Sequence, residues 1–309
     1  MVGAGAVGSF YGAMLARAGH TVTLIGREAH MQAINLQGLR LDLVNSDHIE
    51  HIRLRTSTDI AQVRDADLIL FCVKSIDSES TALSIAPYLQ PHAVIISLQN
   101  GIENIKRISQ HVINAVIPAV VYVATELTAP GYIKHHGGGD LVIGTTATSR
   151  LSEPQHILTS IATLFASAQV EARISDNVLT ALWSKLLINC TFNAISGLSQ
   201  LSYGEMVQCE AIQSTQASVI KEVIAVAKTE GVDLSEADAL QTVSHIANAM
   251  PSQKSSTAHD MARKKLSEID HLNGFIVRRG TEQGVPTPTN QALYAMVKLI
   301  ESSYAIKTT

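Results

Sequence analysis

Lys185, Asn189 and Asn193 recur at intervals of four in the segment Trp183 to Asn193. On a helix such residues form one polar stripe, each about 40° further round than the last, while Leu186, Leu187 and Ile188 point elsewhere. The stripe aligns an amine with two carboxamides. Amides set among apolar neighbours are costly to bury unless paired, so they need partners. A polar ligand held in a cleft would supply them. An exposed polar face, or amides bonded to another domain, accounts for the spacing equally well.

A second group sits at the start of the chain. Gly3-Ala4-Gly5-Ala6-Val7-Gly8 matches G-x-G-x-x-G and runs directly into a helical pattern. Backbone N–H groups around Gly3, Gly5, Ala6, Val7 and Gly8, at a helix N-terminus, can receive a pyrophosphate where side chains would obstruct it. A glycine turn with only a packing role is the alternative. The next strand ends Ile25-Gly26-Arg27, where a site preferring NAD would carry Asp or Glu. Arg27 can instead pair with a 2′-phosphate, which points to NADPH; otherwise it is a solvated arginine opening the next helix. Lys74 follows the strand Leu68 to Val73, at the edge where ligands collect in such sheets, and adds a second positive charge there or is simply solvated.

The elements that must carry these residues change character along the chain. Val22 to Ile25, Leu68 to Val73 and Val94 to Leu98 are short runs of large or β-branched apolar residues, suited to strands covered on both faces. Helical stretches such as Val7 to Arg17 and Ser78 to Leu89 lie between them, which predicts a doubly wound, Rossmann-type parallel sheet. Leu39 to Leu43 and His51 to Leu54 alternate around a polar turn and predict an inserted hairpin. Ala119 to Thr125, Gly131 to His136 and Asp140 to Ile143 predict further strands joined by glycine turns, with an antiparallel edge to the sheet. Beyond Asp176, a candidate N-cap, the pattern predicts helices over Val178 to Ser196, Gly204 to Thr229, Glu236 to Ala249, His259 to Gln283 and Asn290 to Ser303. The expected division is 1–175, a dinucleotide-binding domain, and 176–309, an all-α domain carrying substrate and catalytic residues. Only Met1 and Val2 precede the first glycine, although the strand feeding such a loop takes about five residues. An unfilled central position would expose ladder groups on both neighbours, so the expectation is a start further upstream.

Composition removes several classes of function. The chain has 309 residues, 46% hydrophobic and 16% charged, with a formal charge of −4 and no run of five like charges, so nucleic acid is excluded as partner. Cys72, Cys190 and Cys209 lack the spacing of a zinc or disulfide set and are expected as buried thiols in a reducing compartment. The apolar stretches read as too broken for a bilayer, and no signal sequence opens the chain, so a cytoplasmic protein without membrane attachment is expected. His135-His136 before three glycines alternate faces on a strand and join no acidic or cysteine cluster, so no metal is expected. Val219, Ile220, Val223, Ile224 and Ala227 recur at helical spacing and read as core.

Gly3 to Gly8, Gln99-Asn100-Gly101, Trp183-x-Lys185-x-x-x-Asn189-x-x-x-Asn193, Ser255-Ser256-x-x-x-Asp260 and Glu268-Ile269-Asp270-x-x-Asn273-Gly274 occur in one order along nearly the whole chain. Together they resemble the 2-dehydropantoate 2-reductase (ketopantoate reductase) family. The resemblance implies NADPH-dependent reduction of 2-dehydropantoate to (R)-pantoate, on the route to pantothenate and coenzyme A. It implies that Lys185 donates a proton to the ketone oxygen as hydride arrives, which the developing alkoxide requires. Glu268 matches the family's acidic partner, Asn189, Asn193 and Ser256 match substrate-holding positions, and Asn100 matches a cofactor contact. From the residues alone, Glu268 reads rather as a surface carboxylate, and Ser256 as a helix cap and Asn100 as half of a turn are the alternatives. Tyr203 stands where the family carries a further Asn, so the exact 2-keto acid is the softer expectation. The only partners expected are that small molecule and, if the chain is not a monomer, a second copy of itself.

Overall fold

Alternation along the strands decides the architecture of the first half. The computed structural model describes residues 1–305. In chain order the first part carries α1 (Ala6–Arg17), β1 (Thr23–Ile25), α2 (Glu28–Gln37), β2 (Leu39–Asp42), β3 (Glu50–Ile52), β4 (Arg55–Ser57), β5 (Leu68–Phe71), α3 (Ser78–Ile85), β6 (Val94–Ser97), α4 (Asn104–Ser109), β7 (Val116–Ala129), β8 (Tyr132–Ile143), α5 (Pro154–Ser167) and β9 (Ala172–Ile174). The second part is helical: α6 (Val178–Ser199), α7 (Tyr203–Met206), α8 (Glu210–Thr229), α9 (Glu236–Ala249), α10 (Ser256–Ala262), α11 (Asn273–Gln283) and α12 (Pro288–Ala305). The chain divides into two units, Met1–Gln99 with Glu103–Val178, and Asn100–Ile102 with the residues from Leu179 onward.

In the first unit β4 pairs with β1, β5 with β6 and β6 with β7, all parallel, and Val2 bridges Ile25 and Phe71. Val2 therefore occupies the central position between β1 and β5, giving the strand order of a doubly wound dinucleotide-binding sheet. Leu70 and Ile96 enter one apolar core with α1 and α5, whereas Ile69, Phe71 and Ile95 enter another with α3 and α4. Both faces are covered, as the continuous apolar strands require. β7 and β8 pair antiparallel, and the β2–β3 hairpin attaches beyond them, so the expected antiparallel edge is present. At the central position Val2 donates to Leu70 O (2.9 Å) and accepts from Cys72 N (2.8 Å), while Met1 accepts from Ile25 N (2.9 Å). The ladder groups these two residues reach are thus paired; past Met1 lies a cavity of about 410 Å³ lined by Val22, Thr23, Asp67 and Leu68 among others.

Some expectations need correction. The strands predicted over 131–136 and 140–143 are one strand, β8, because Gly137, Gly138 and Gly139 take φ of +136°, +73° and +141° and form bulges opposite Tyr122 to Thr125 in place of a turn. The helix predicted over 259–283 stops at Ala262. Lys264 adopts φ +53° and Lys265 N donates to Asp260 O (2.9 Å), a left-handed stop made without glycine and so without a sequence signal. The helix predicted over 204–229 breaks after Met206 and restarts at Glu210, with Cys209 as the N-cap of α8, while α7 itself opens on a capping box in which the Ser202 N–H and hydroxyl both donate to Glu205 (2.8 and 2.6 Å). α6 opens at Val178, two residues past Asp176, and the Ser175 hydroxyl accepts from Asn177 N (3.1 Å). α5 and β9 lie where the periodicity assigns no element.

The second unit is built around α6. Trp183, Leu186, Leu187, Cys190, Phe192 and Ile195 pack with Val219, Ile220, Val223 and Ala227 of α8, so that stripe is core as expected. Contrary to the sequence reading, α6 is long and apolar enough to cross a membrane by length and composition, but most of it is buried within the fold. Cys190 is buried and Cys72 half-buried, whereas Cys209 is exposed, because it sits just before α8 outside the core.

Candidate active site

The glycine loop lies at the carboxyl ends of the central strands. Gly3 takes φ +95°, and a Cβ there would lie 2.6 Å from Val73 N, so the loop packs directly on the residue before Lys74. Gly3 N and Ala4 N both donate to Ile25 O (3.1 and 3.0 Å), which ties the loop to the end of β1. Gly5 is the N-cap of α1, and a Cβ on it would meet nothing within 4 Å. The first turn of α1, opened by Ala6 and Val7, therefore presents N–H groups without intrahelical acceptors to open space. Arg27 is exposed at the N-cap of α2, immediately after Gly26, whose own Cβ would fall 2.8 Å from Ala4 Cβ. Lys74 is half-buried. These residues can hold a dinucleotide: the backbone donors suit a pyrophosphate and Arg27 suits a further phosphate.

The loop has no slack at Gly8, where a Cβ would sit 2.3 Å from Gly3 O. Gly8→Ala is expected to cost about 1–3 kcal/mol of stability through overpacking against backbone, read as a fall in the thermal midpoint. An unchanged midpoint would show that the loop can move aside.

In the second unit Lys185, Asn189 and Asn193 lie on the uninterrupted helix α6. Burial lowers the Lys185 pKa from 10.5 to about 8, opposed by the nearby Glu268 carboxylate, which favours the charged form. Glu268, just before a short 3-10 turn, accepts from Asn100 Nδ2 (3.2 Å). Asn193 is buried and its amide donates to the hydroxyl of the exposed Ser256 (3.5 Å). Ser256 is not the cap of α10: Ser255 accepts from Ala258 N (3.0 Å) and donates to Asn193 O (3.2 Å). Lys185, Asn189, Asn193, Ser256, Glu268 and Asn100 thus belong to one unit, and Gly3 to Gly8, Arg27 and Lys74 to the other. Chemically, the former group offers an ammonium that can release a proton near neutral pH, a carboxylate and three amides.

Two supporting residues carried no role in the sequence reading. Gln99 is buried and donates to Val73 O (2.9 Å) and Ser78 Oγ (2.8 Å) while accepting from Ser97 Oγ (3.1 Å), which fixes the chain just before Asn100. Its signal was a polar side chain closing an apolar strand. Ser255 had only its place in a motif. Tyr203 packs its ring on Phe192 with centroids 4.4 Å apart. His135 stacks on Phe10 and its Nε2 donates to Gly138 O (2.9 Å), so it serves the bulged strand.

Family comparison agrees over almost the whole chain. The family model "Ketopantoate reductase PanE/ApbA" matches residues 1–148, and its C-terminal counterpart matches residues 177–301. The chain belongs to the ketopantoate reductase family. It is an oxidoreductase. A 2-dehydropantoate 2-reductase of Pyrococcus horikoshii is 30% identical over 306 residues, 98% of this chain and 97% of its own. The crystal structure of a PanE/ApbA family ketopantoate reductase from Ralstonia eutropha JMP134 superposes with a TM-score of 0.91 at 48% identity, covering 98% of both chains. The ternary structure of D-mandelate dehydrogenase with NADH and anilino(oxo)acetate reaches the same TM-score, 0.91, and covers 98% of both chains at 24% identity, a likeness of fold.

Proposed function

We propose that this member of the ketopantoate reductase family reduces 2-dehydropantoate to (R)-pantoate with NADPH, on the route to pantothenate and coenzyme A. The observation that carries the reading is Lys185: an ammonium on the same helical stripe as two carboxamides, its pKa brought down to about 8 by burial, with Glu268 close enough to oppose the shift.

Bound NADPH would supply the hydride. Lys185 supplies the proton: its Nζ–H bonds the ketone oxygen, stabilises the negative charge that develops there, and passes its proton to that oxygen to give the alcohol. A lysine near its ordinary pKa would hold that proton more tightly, so desolvation eases the transfer. Glu268, held by Asn100, bonds a substrate hydroxyl. Asn189, Asn193 and Ser256 orient the 2-keto acid so that the reacting carbon is held in a near-attack geometry. Residues 1–175 hold the dinucleotide, with Gly3, Gly5, Ala6, Val7 and Gly8 at the pyrophosphate, Arg27 and Lys74 at the 2′-phosphate, and Asn100 as a further cofactor contact. Residues 176–309, of which 306–309 lie outside the described residues, carry the substrate and the chemistry. The setting consistent with this role is the cytoplasm, as a monomer or homodimer.

Tyr203 favours a second reading, reduction of another branched 2-keto acid, because an aromatic ring packed on Phe192 stands where the family places an amide. The fold alone does not choose between substrates. Loss of NADPH absorbance, followed with ketopantoate and separately with 2-ketoisovalerate, tests both. A kcat/KM at least about tenfold higher for ketopantoate supports the first reading, since a site built for a hydroxyl rejects the analogue lacking one. The reverse order supports the second. No oxidation with any 2-keto acid overturns both.

A further inference from the structure

The acidic member of the site stands on poor scaffolding. Glu268 lies between α10 and α11, in a segment whose only regular structure is the turn Ile269–His271. A side chain that must meet an ammonium and a substrate cannot rely on so short a turn, and functional groups are held accurately only when their neighbours are locked. The locks come from one face of α12. Glu301 accepts from both Ser267 N (2.8 Å) and Ser267 Oγ (2.7 Å), fixing the residue before Glu268. On the other side Asp270 accepts from Tyr294 OH (2.7 Å) and Lys298 Nζ (2.7 Å). Lys298 also lies 3.2 Å from Glu301, so one ammonium joins the two anchors.

Tyr294, Lys298 and Glu301 fall at i, i+4 and i+7, a single helical stripe. Ile269, between the anchors, is fully buried in the core that α6 and α12 share. Glu301 is only 3% exposed. A buried carboxylate is poorly suited to stability alone, because apolar residues of similar volume do at least as well; what it supplies is a defined geometry. Ser267 and Asp270 are the residues it and its neighbours define, and they bracket Glu268.

We propose that Glu301, with Lys298 and Tyr294, is a positioning device that aims the Glu268 carboxylate at the reacting centre. This rests on the role given to Glu268 above. The bonds this stripe makes to Ser267 and Asp270 fall on either side of Glu268, so its effect on turnover is expected to pass through Glu268.

A double-mutant cycle on the full chain, with NADPH and ketopantoate as the assayed pair, tests this. Glu301→Ala in the wild-type background is expected to lower kcat/KM about tenfold to a hundredfold, the loss that accompanies a small misplacement of a reacting group. In a Glu268→Gln background the same substitution is expected to change kcat/KM by less than about threefold, because the group it aims is already disabled. Glu301→Gln, which keeps an oxygen for Ser267, should recover most of the rate. Tyr294→Phe, which keeps the ring and removes one bond to Asp270, carries the test if Glu301→Ala does not fold, with a smaller loss that again vanishes over Glu268→Gln. Equal losses in both backgrounds, or none in the wild type, overturn the positioning role while leaving that of Glu268 intact. A Glu268→Gln enzyme with wild-type turnover overturns both.

Discussion

Lys185→Ala is expected to lower kcat for keto-acid reduction by about 10²–10⁴, the contribution of a positioned proton donor, while NADPH affinity holds. The fold should tolerate the loss. The folded-state pKa of Lys185 is lowered from 10.5 to about 8, so between those values the unfolded chain binds more protons than the folded one and stability rises with pH. Below about pH 8 the folded protein bears the full cost of holding that ammonium out of water. Lys185→Met removes this cost and should leave the thermal midpoint at pH 7 unchanged or raised, an advantage that fades as pH climbs toward 10.5. Inactivity with undiminished stability is the signature of a group kept for chemistry. A variant that turns over normally would remove Lys185 as the donor; one that is inactive but also unfolds would reduce it to a packing residue.

The same titration sets a pH profile. As the proposed donor Lys185 must be protonated for reduction, so kcat should be level below about pH 8 and fall as the lysine loses its proton above it. Glu268 is the influence that raises this pKa, so Glu268→Gln should move the descending limb to lower pH. A limb that stays in place or moves upward would show that the two groups are not coupled as described.

How far such residues could be read from the sequence depended on how local their causes are. The glycine loop and the stripe on α6 were legible because each is local in sequence: the first is a six-residue glycine pattern leading into a helix, and the second follows from helix periodicity within one short segment. The sheet was legible because its strands are apolar on both faces. Three features were not. The left-handed stop at Lys264 uses a residue type with no preference for that conformation. The bulges at Gly137 to Gly139 read equally well as a turn. Glu268 could not be told from a surface carboxylate, because its meaning comes from Asn100, Lys185 and the anchors on α12, all distant along the chain. Residues that act through non-local contacts leave no periodic mark, and only the family pattern singled Glu268 out.

Arg27→Ala is expected to weaken NADPH binding about tenfold to a hundredfold, equivalent to about 1.5–3 kcal/mol for charge-assisted hydrogen bonds to a phosphate, and to leave NADH binding nearly unchanged. The selectivity is the informative part. Arg27 is exposed at the N-cap of α2, past the end of β1, where the ribose-reading residue of such folds stands. A general loss of positive potential would weaken both cofactors, since both carry the pyrophosphate. A specific pairing with the 2′-phosphate weakens only the one that has it. Because the site is open to solvent, the preference for NADPH should also shrink as salt is raised, and Arg27→Ala should remove most of that salt dependence. Arg27→Asp should go further and favour NADH, since an acidic side chain there can accept from the 2′-hydroxyl while repelling the phosphate. Titration of each cofactor by quenching of protein fluorescence measures all of these. Equal effects of Arg27→Ala on NADPH and NADH would take the phosphate away from Arg27, and Lys74→Ala, measured in parallel, would then show whether the half-buried lysine holds it instead.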